Sequence, residues 1–462
     1  MSTSEQHVHF IGIGGYGMSA IARVMLEMGY RVSGSDVAEQ ELTQKLAQKG
    51  AKVFIGHEAG HVQGADLVVY STALSKDNVE KAAAESLNIP VIHRSQMLAR
   101  LLNAKKGVAV AGAHGKTTTS SMIALVMEST GVDPTYIIGG EIMNVGSNAK
   151  AGKGDFVVAE ADESDGTFLQ YYPTLAVVTN IEADHLENYD GDFAKLKAAY
   201  ARFLSQVKEG GKAVVCLDDP ELAGLLPDVS AELVTYGVHP DAEFRATDIV
   251  LGDRKAEFTV ERGGAPLGRV TLSVPGHHNV LNALATLIVC LEAGVPFEQA
   301  AAALTEFSGA KRRFQVLGDV NDVLVIDDYA HHPTEIVATI AAAKATGKRI
   351  VAVFQPQRYT RTFYLLDAFS RAFGEADEVV IVDIYSPAGE QRIEGVSAAR
   401  LTELIRENSN ANVSHISTKE QVLEHLERTV RPGDLVLTMG AGDIWKVAKE
   451  LSATLKQRAE AK

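Results

Sequence analysis

Val108-Ala109-Val110-Ala111-Gly112-Ala113-His114-Gly115-Lys116-Thr117-Thr118-Thr119 decides the reading of this chain. A short apolar run with strand character ends in a glycine loop, and a helix is expected from Lys116. Such a loop wraps backbone N–H groups around a phosphate, adds the positive end of a helix and sends a lysine to the outer phosphates. A hydroxyl after the lysine, from Thr117 or Thr118, can reach Mg2+. The usual phosphate-loop spacing places a glycine where Val110 stands; Gly112 sits nearer, so this is a shortened variant. Gly112, Ala113, His114, Gly115, Lys116, Thr117 and Thr118 are the expected cradle of a nucleoside triphosphate.

At 462 residues the chain is too long for one ordinary core, and the length predicts about three domains. No run of 18 apolar residues free of charge occurs, so membrane insertion is not expected. The start, Met1-Ser2-Thr3-Ser4-Glu5-Gln6-His7, lacks a basic region and does not read as a secretory signal. Cys216 and Cys290 are the only cysteines, too few for a disulfide framework, and a cytoplasmic location fits. A formal charge of −15 argues against wide contact with nucleic acid or anionic lipid. That charge is uneven: residues 1–105 are net zero, residues 106–312 carry −12 and residues 313–462 carry −3. A polyphosphate at the loop would therefore need local cations and divalent metal.

Apolar strands alternate with helix-length amphipathic segments, the pattern of βαβ units and parallel sheets. The first block holds expected strands at Val8–Ile11, Arg31–Ser33, Leu67–Tyr70 and Val91–Ile92. The second holds Val108–Ala111, Phe156–Glu160, Leu175–Asn180 and Ala213–Leu217, then an antiparallel insertion near Ala242–Pro275. The third holds Val323–Asp327, Ile350–Phe354, Val379–Asp383 and Leu435–Met439. The expected organisation is α/β in three domains, 1–105, 106–312 and 313–462. The outer two are Rossmann-like, and the central one is a phosphate-loop ATPase domain with a mainly parallel sheet.

Other stretches carry chemistry. Gly12-Ile13-Gly14-Gly15-Tyr16-Gly17 follows a strand and opens a helix, and Asp36 ends the next strand, where a ribose-binding acid is expected. Glu160 and Asp184-His185 each end a strand on the edge that bears the phosphate loop, so a carboxylate, a Thr hydroxyl and His185 can share one Mg2+. A His ligand is unusual for that ion. Asn279 and Asn282 lie three apart on one helix face, and amide side chains suit an adenine edge. Lys311-Arg312-Arg313, Asp327-Asp328-Tyr329-Ala330-His331-His332-Pro333 and Gln355-Pro356-Gln357-Arg358-Tyr359-Thr360-Arg361 put arginines and histidines in the last block; the latter two follow apolar strands, and arginine suits phosphate or carboxylate capture.

In this order these motifs resemble the Mur ligases of peptidoglycan synthesis, and the likeness covers essentially the whole chain. The resemblance implies ATP as cofactor, with Mg2+, and an amide ligase acting through an acyl phosphate. The opening glycine loop, the Asp328–Glu335 stretch and the Gln355–Arg361 stretch are most similar to members that join L-alanine to the lactyl carboxylate of UDP-N-acetylmuramate. It places the UDP-sugar at Gly12, Gly14, Gly15, Gly17 and Asp36, ATP phosphates at Lys116, Mg2+ at Thr117, Glu160 and His185, and adenine near Asn279 and Asn282. Arg313 and Asp328 would reach ATP, and His331, Arg358 and Arg361 would hold the amino acid or the carboxylate it attacks. His331 or His332 is the expected base for the amine. The carbamylated lysine of several relatives would fall at Lys195 or Lys197, and relatives often have His where Gln357 stands. A monomer or homodimer is expected. Two other classes compete: a nicotinamide dehydrogenase, which leaves the Lys116 loop and arginine clusters unexplained, and a non-catalytic nucleotide sensor, which leaves Glu160, His185 and Arg313 without a task.

Overall fold

The computed structural model describes residues 6–75, 77–164, 166–386 and 390–460. It contains three sheets. The first is built from β1 (His7–Ile11), β2 (Arg31–Asp36), β3 (Lys52–Ile55), β4 (Leu67–Tyr70) and β5 (Val91–His93), ordered 3-2-1-4-5 and parallel throughout. The strand order reverses beside β1, so the crevice of this doubly wound sheet lies at the loop Gly12–Gly15.

The second sheet holds β6 (Lys106–Ala111), β7 (Thr135–Ile142), β8 (Ser147–Lys150), β9 (Phe156–Glu160), β10 (Leu175–Val178), β11 (Lys212–Cys216) and β12 (Glu232–Gly237). Its far side adds β13 (Phe244–Gly252), β14 (Lys255–Arg262) and β15 (Ala265–Leu272), joined by two-residue turns of the kind that links antiparallel neighbours. β6 lies between β9 and β10, parallel to both. Val108, Ala109, Val110 and Ala111 are fully buried. That explains the unbroken apolar run: a central parallel strand is covered on both faces.

The third sheet runs β16 (Gln315–Val320), β17 (Val323–Asp328), β21 (Asp434–Met439), β18 (Arg349–Phe354), β19 (Glu378–Ile381) and β20 (Val413–His415), with only β16 antiparallel. Apolar clusters cover both of its faces, one around Phe354, Phe369 and Phe373 and the other around Val351, Val436 and Leu451. Two compact units emerge from the contacts. One comprises residues 1–248, 258–270 and 281–307; the other comprises 249–257, 271–280 and 308–462. No helix among the described residues is long and apolar enough to cross a membrane.

The strands expected from apolar runs are present, with ends moved by at most three residues, the largest change being Arg31–Ser33 lengthened to Arg31–Asp36. β3, β7, β8, β12, β16 and β20 are not among the expected strands. Ser147-Asn148-Ala149-Lys150 has no apolar run at all and is a strand because it pairs with β7.

Candidate active site

β6 delivers the chain into the loop, and the helix Lys116–Ser129 leaves it. Gly115 takes φ +84° as that helix begins, and Gly112 takes φ +135°, a conformation that L side chains rarely adopt. A Cβ on Gly112 would lie 2.1 Å from the Thr179 hydroxyl, and one on Gly115 2.7 Å from Asn282 Oδ1. Thr179 and Asn180, just past β10, clamp the loop: Asn180 Oδ1 accepts the His114 N–H at 2.8 Å, and Asn180 Nδ2 donates to the His114 carbonyl at 3.0 Å. The Ala113 N–H goes to the Asn180 carbonyl. Ala113 and His114 thus shape the cradle with N–H groups already committed inside the protein. The first-turn N–H groups of the helix, beginning at Lys116, have no intrahelical partner. His114 also pairs through Nε2 with Glu182 at 3.0 Å.

Gly112→Ala is expected to cost about 1–3 kcal/mol of stability from the backbone conformation alone, and to weaken ATP binding by displacing Thr179. Urea unfolding and calorimetric titration with ATP read the two effects.

Lys116 folds back into its own loop. Its Nζ donates to the Gly112 carbonyl and lies 2.9 Å from both Glu163 carboxylate oxygens. Burial works against its charge, but the Glu163 and Asp162 carboxylates outweigh burial and raise its pKa. Glu163 was not singled out by sequence, although its place three residues beyond a strand end in an acidic run was the available signal. It occupies the ammonium as a phosphate oxygen would. Glu160, at the end of β9, accepts the Gly139 N–H at 2.6 Å and lies 3.5 Å from the Ser120 hydroxyl. His185 sits in a left-handed turn (φ +54°) after β10, with its N–H on Asp184 Oδ1 at 2.9 Å. Strands β10, β6 and β9 are adjacent and parallel, so His185, Thr117 and Glu160 share one sheet edge.

Tyr16 opens the helix Tyr16–Glu27 of the first sheet. Its hydroxyl is pushed up to about 12 by burial and by the Glu141 and Glu160 carboxylates, so the first glycine loop faces the phosphate loop's edge. The N–H groups of Gly12, Gly14 and Gly15 are spent inside the protein, on Ser35 O, Asp36 Oδ2 and Gly12 O. Gly12, Gly14 and Gly15 therefore shape the turn rather than donate to a diphosphate, and Asp36 closes it. The donors that stay open belong to the helix's first turn, including Gly17. A Cβ on Gly17 would come within 3.2 Å of the Arg94 guanidinium, and Arg94 also helps hold Asp162 below its usual range against burial.

Asn282 is buried, and its Oδ1 accepts the Thr119 hydroxyl at 3.1 Å. It braces the loop. Asn279 is also buried and donates to the Pro275 carbonyl at 2.7 Å. Lys195 is exposed and 2.6 Å from Asp190, which raises its pKa; Lys197 is 3.0 Å from Glu221. Carbamylation needs a neutral amine, and the ion pair works against that at Lys195.

In the second unit, β17, β21 and β18 end side by side. Arg312 spends its guanidinium on Asp327 (2.9 Å) and on the Gly440 and Gly442 carbonyls. Arg313 lies over the Tyr329 ring at 5.2 Å and 3.6 Å from Glu335. Asp328 accepts the Phe314 and Ala330 N–H groups at 2.6 and 2.7 Å, and burial, opposed by Arg313, pushes its pKa up to about 6. It holds the turn that presents Arg313. Arg358 adopts φ +68°, a strained conformation for a non-glycine. Arg361 donates to Gln357 Oε1 at 3.2 Å, so the glutamine braces the arginine.

His332 caps the helix Pro333–Lys344, accepting the Thr334 N–H. His331 Nδ1 lies 2.9 Å from the Tyr329 carbonyl, so that nitrogen carries the proton and Nε2 keeps the lone pair. Burial pushes His331 down to about 4. A base matched to neutral pH needs a pKa near 7. Burial thus moves His331 below that range, and His332 is engaged as a cap.

A group with this depressed pKa contributes stability that is complete above pH 6.5 and is lost as pH falls toward 4. Asp328 runs oppositely, losing its contribution as pH rises through about 6. His331→Asn is therefore expected to lose less stability than the parent between pH 6.5 and 4, by up to about 3 kcal/mol. Urea unfolding at both pH values measures this, and equal losses would contradict the neutral imidazole.

Three family profiles match in sequence: "Mur ligase family, catalytic domain" over residues 7–106, "Mur ligase middle domain" over 110–290, and "Mur ligase, glutamate ligase domain" over 312–442. The UDP-N-acetylmuramate–L-alanine ligase of Symbiobacterium thermophilum is 51% identical over 98% of this chain and 95% of its own length. That of a Geobacter species is 48% identical over 98% and 99%. The crystal structure of UDP-N-acetylmuramate–alanine ligase from Thermotoga maritima superimposes with a TM-score of 0.81 at 29% identity, covering 98% of this chain and 99% of that one. With the phosphate loop, its clamp and the arginine-bearing edge in place, the chain belongs to the Mur ligase family.

Proposed function

We propose that this protein uses ATP to join L-alanine to the lactyl carboxylate of UDP-N-acetylmuramate, a step in making peptidoglycan precursors. The observation that carries this is the Lys116 loop near Glu163 and Glu160, faced by the first glycine loop at Tyr16, in a chain alike over 98% of its length to ligases of that name. Residues 1–105 would take the UDP-sugar, 106–312 ATP, and 313–462 the amino acid.

A carboxylate is a poor acyl electrophile because its leaving group would be oxide. Attack of a carboxylate oxygen on the γ-phosphorus expels ADP and leaves an acyl phosphate. The alanine amine then attacks the carbonyl carbon, the amine loses a proton, and phosphate departs with the oxygen that began on the sugar. Phosphoryl transfer asks mainly for positioning and charge neutralisation. Lys116 supplies charge once Glu163 yields its place to phosphate. Thr117 and Glu160 offer the oxygen donors Mg2+ prefers, with His185 on the same edge, and the ion would neutralise phosphate oxygens there. Arg313 adds charge, Arg358 and Arg361 pair with carboxylates, and His331 accepts a hydrogen bond from the amino group through Nε2.

Phosphate release with ATP, Mg2+ and UDP-N-acetylmuramate across a panel of amino acids tests the reading. L-Alanine is expected to give the highest kcat/KM. Preference for a different amino acid would reassign the substrate within the family, and phosphate release without amide product would favour a nucleotide sensor.

A further inference from the structure

The phosphate loop uses the C-terminal edges of the parallel strands. At the opposite edge of the first two sheets lies a pocket of about 430 Å3, reached by Val8, Leu67, Thr135 and Val157 near the starts of their strands. Its volume is within the range of small-molecule sites, about 300–1,000 Å3. Met25, Met28, Met97 and Leu101 give it an apolar wall, and methionine adapts to ligands of varied outline.

Two cations also line it, Arg100 and Lys105. Lys105 is committed to the Gly154 carbonyl at 2.7 Å, whereas Arg100 is exposed and has no carboxylate partner among the described residues. The one acid in the wall, Asp66, accepts the His7 N–H at 2.8 Å. An apolar cavity with an uncommitted guanidinium matches an apolar body ending in an anion.

The elements lining this pocket are those that carry the site. The helix Tyr16–Glu27 begins at the glycine loop and ends at Met25 and Met28. The helix Arg94–Asn103 begins with Arg94, beside Gly17 and acting on Asp162, and ends along the pocket with Met97, Arg100 and Leu101. β9 runs from Val157 in the pocket to Glu160. At their other ends these two helices and the strand carry Tyr16, Arg94 and Glu160.

We infer that this pocket is a regulatory site for an amphipathic monoanion, a medium-length alkyl chain ending in a carboxylate, with the chain among the methionines and the carboxylate on Arg100. The regulatory half rests on the proposed ligase activity; the binding half does not. The test uses the full chain labelled with methyl-13C methionine and titrated with decanoate below its micelle concentration, with decanol as the neutral control. Saturable shifts are expected for Met25, Met28 and Met97, with the other methionine methyls little changed. Arg100→Gln should weaken decanoate at least tenfold and leave decanol unchanged, and Met28→Trp should remove both. Decanoate should change phosphate release at least twofold in the parent and not in Arg100→Gln. Absence of saturable shifts, or equal binding by Arg100→Gln, overturns the site. Binding at these methyls without any change in rate overturns its regulatory role. A parent that binds decanoate yet forms no amide would fault the proposed activity and leave the site standing.

Discussion

Lys116→Ala is expected to lower kcat by at least about 10²-fold, the usual cost of removing one preorganised charge from a transition state. The same change strands Glu163, which is 5% exposed and loses its ammonium partner. Removing one member of a buried pair costs roughly 3–5 kcal/mol, so a simple loss of activity would be ambiguous. The double variant Lys116→Ala/Glu163→Gln separates the effects: it should regain much of the stability, read by urea unfolding, and none of the rate. Recovery of activity in the double variant would mean that Lys116 only neutralises Glu163.

Glu160→Gln is the second large effect. The amide keeps an oxygen to accept the Gly139 N–H, now made at 2.6 Å, so folding should be nearly unchanged. The lost charge should reduce kcat by about 10²–10³-fold and raise the Mg2+ concentration needed for half-maximal rate. Initial rates across a Mg2+ series measure both. An unchanged Mg2+ dependence would remove Glu160 from the metal site.

The phosphate loop was legible because its determinants are contiguous: glycines for the turn, a lysine, then hydroxyls. Its clamp was not. Asn180 meets His114 across a separation of 66 residues, and a lone Thr-Asn pair after a strand carries no signal of its own. Burial misled elsewhere. Asn282 reads as an amide suited to an adenine edge, yet it is buried with its Oδ1 on Thr119, and His331 reads as a base until burial lowers it to about 4. The first glycine loop fitted its pattern, but sequence cannot show that Ser35, Asp36 and Gly12 already take the N–H groups of Gly12, Gly14 and Gly15. Among strands, central ones such as Val108–Ala111 declared themselves by unbroken apolar character. Edge or polar ones such as Lys52–Ile55 and Ser147–Lys150 exist because a neighbour pairs with them.

The route through an activated carboxylate is tested most directly by oxygen transfer. UDP-N-acetylmuramate labelled with 18O in both lactyl carboxylate oxygens is incubated with ATP, Mg2+ and L-alanine, and the released phosphate is analysed by mass. One 18O atom per phosphate is predicted, because the oxygen that attacks the γ-phosphorus leaves with it. Amide formed with unlabelled phosphate would contradict the acyl-phosphate route.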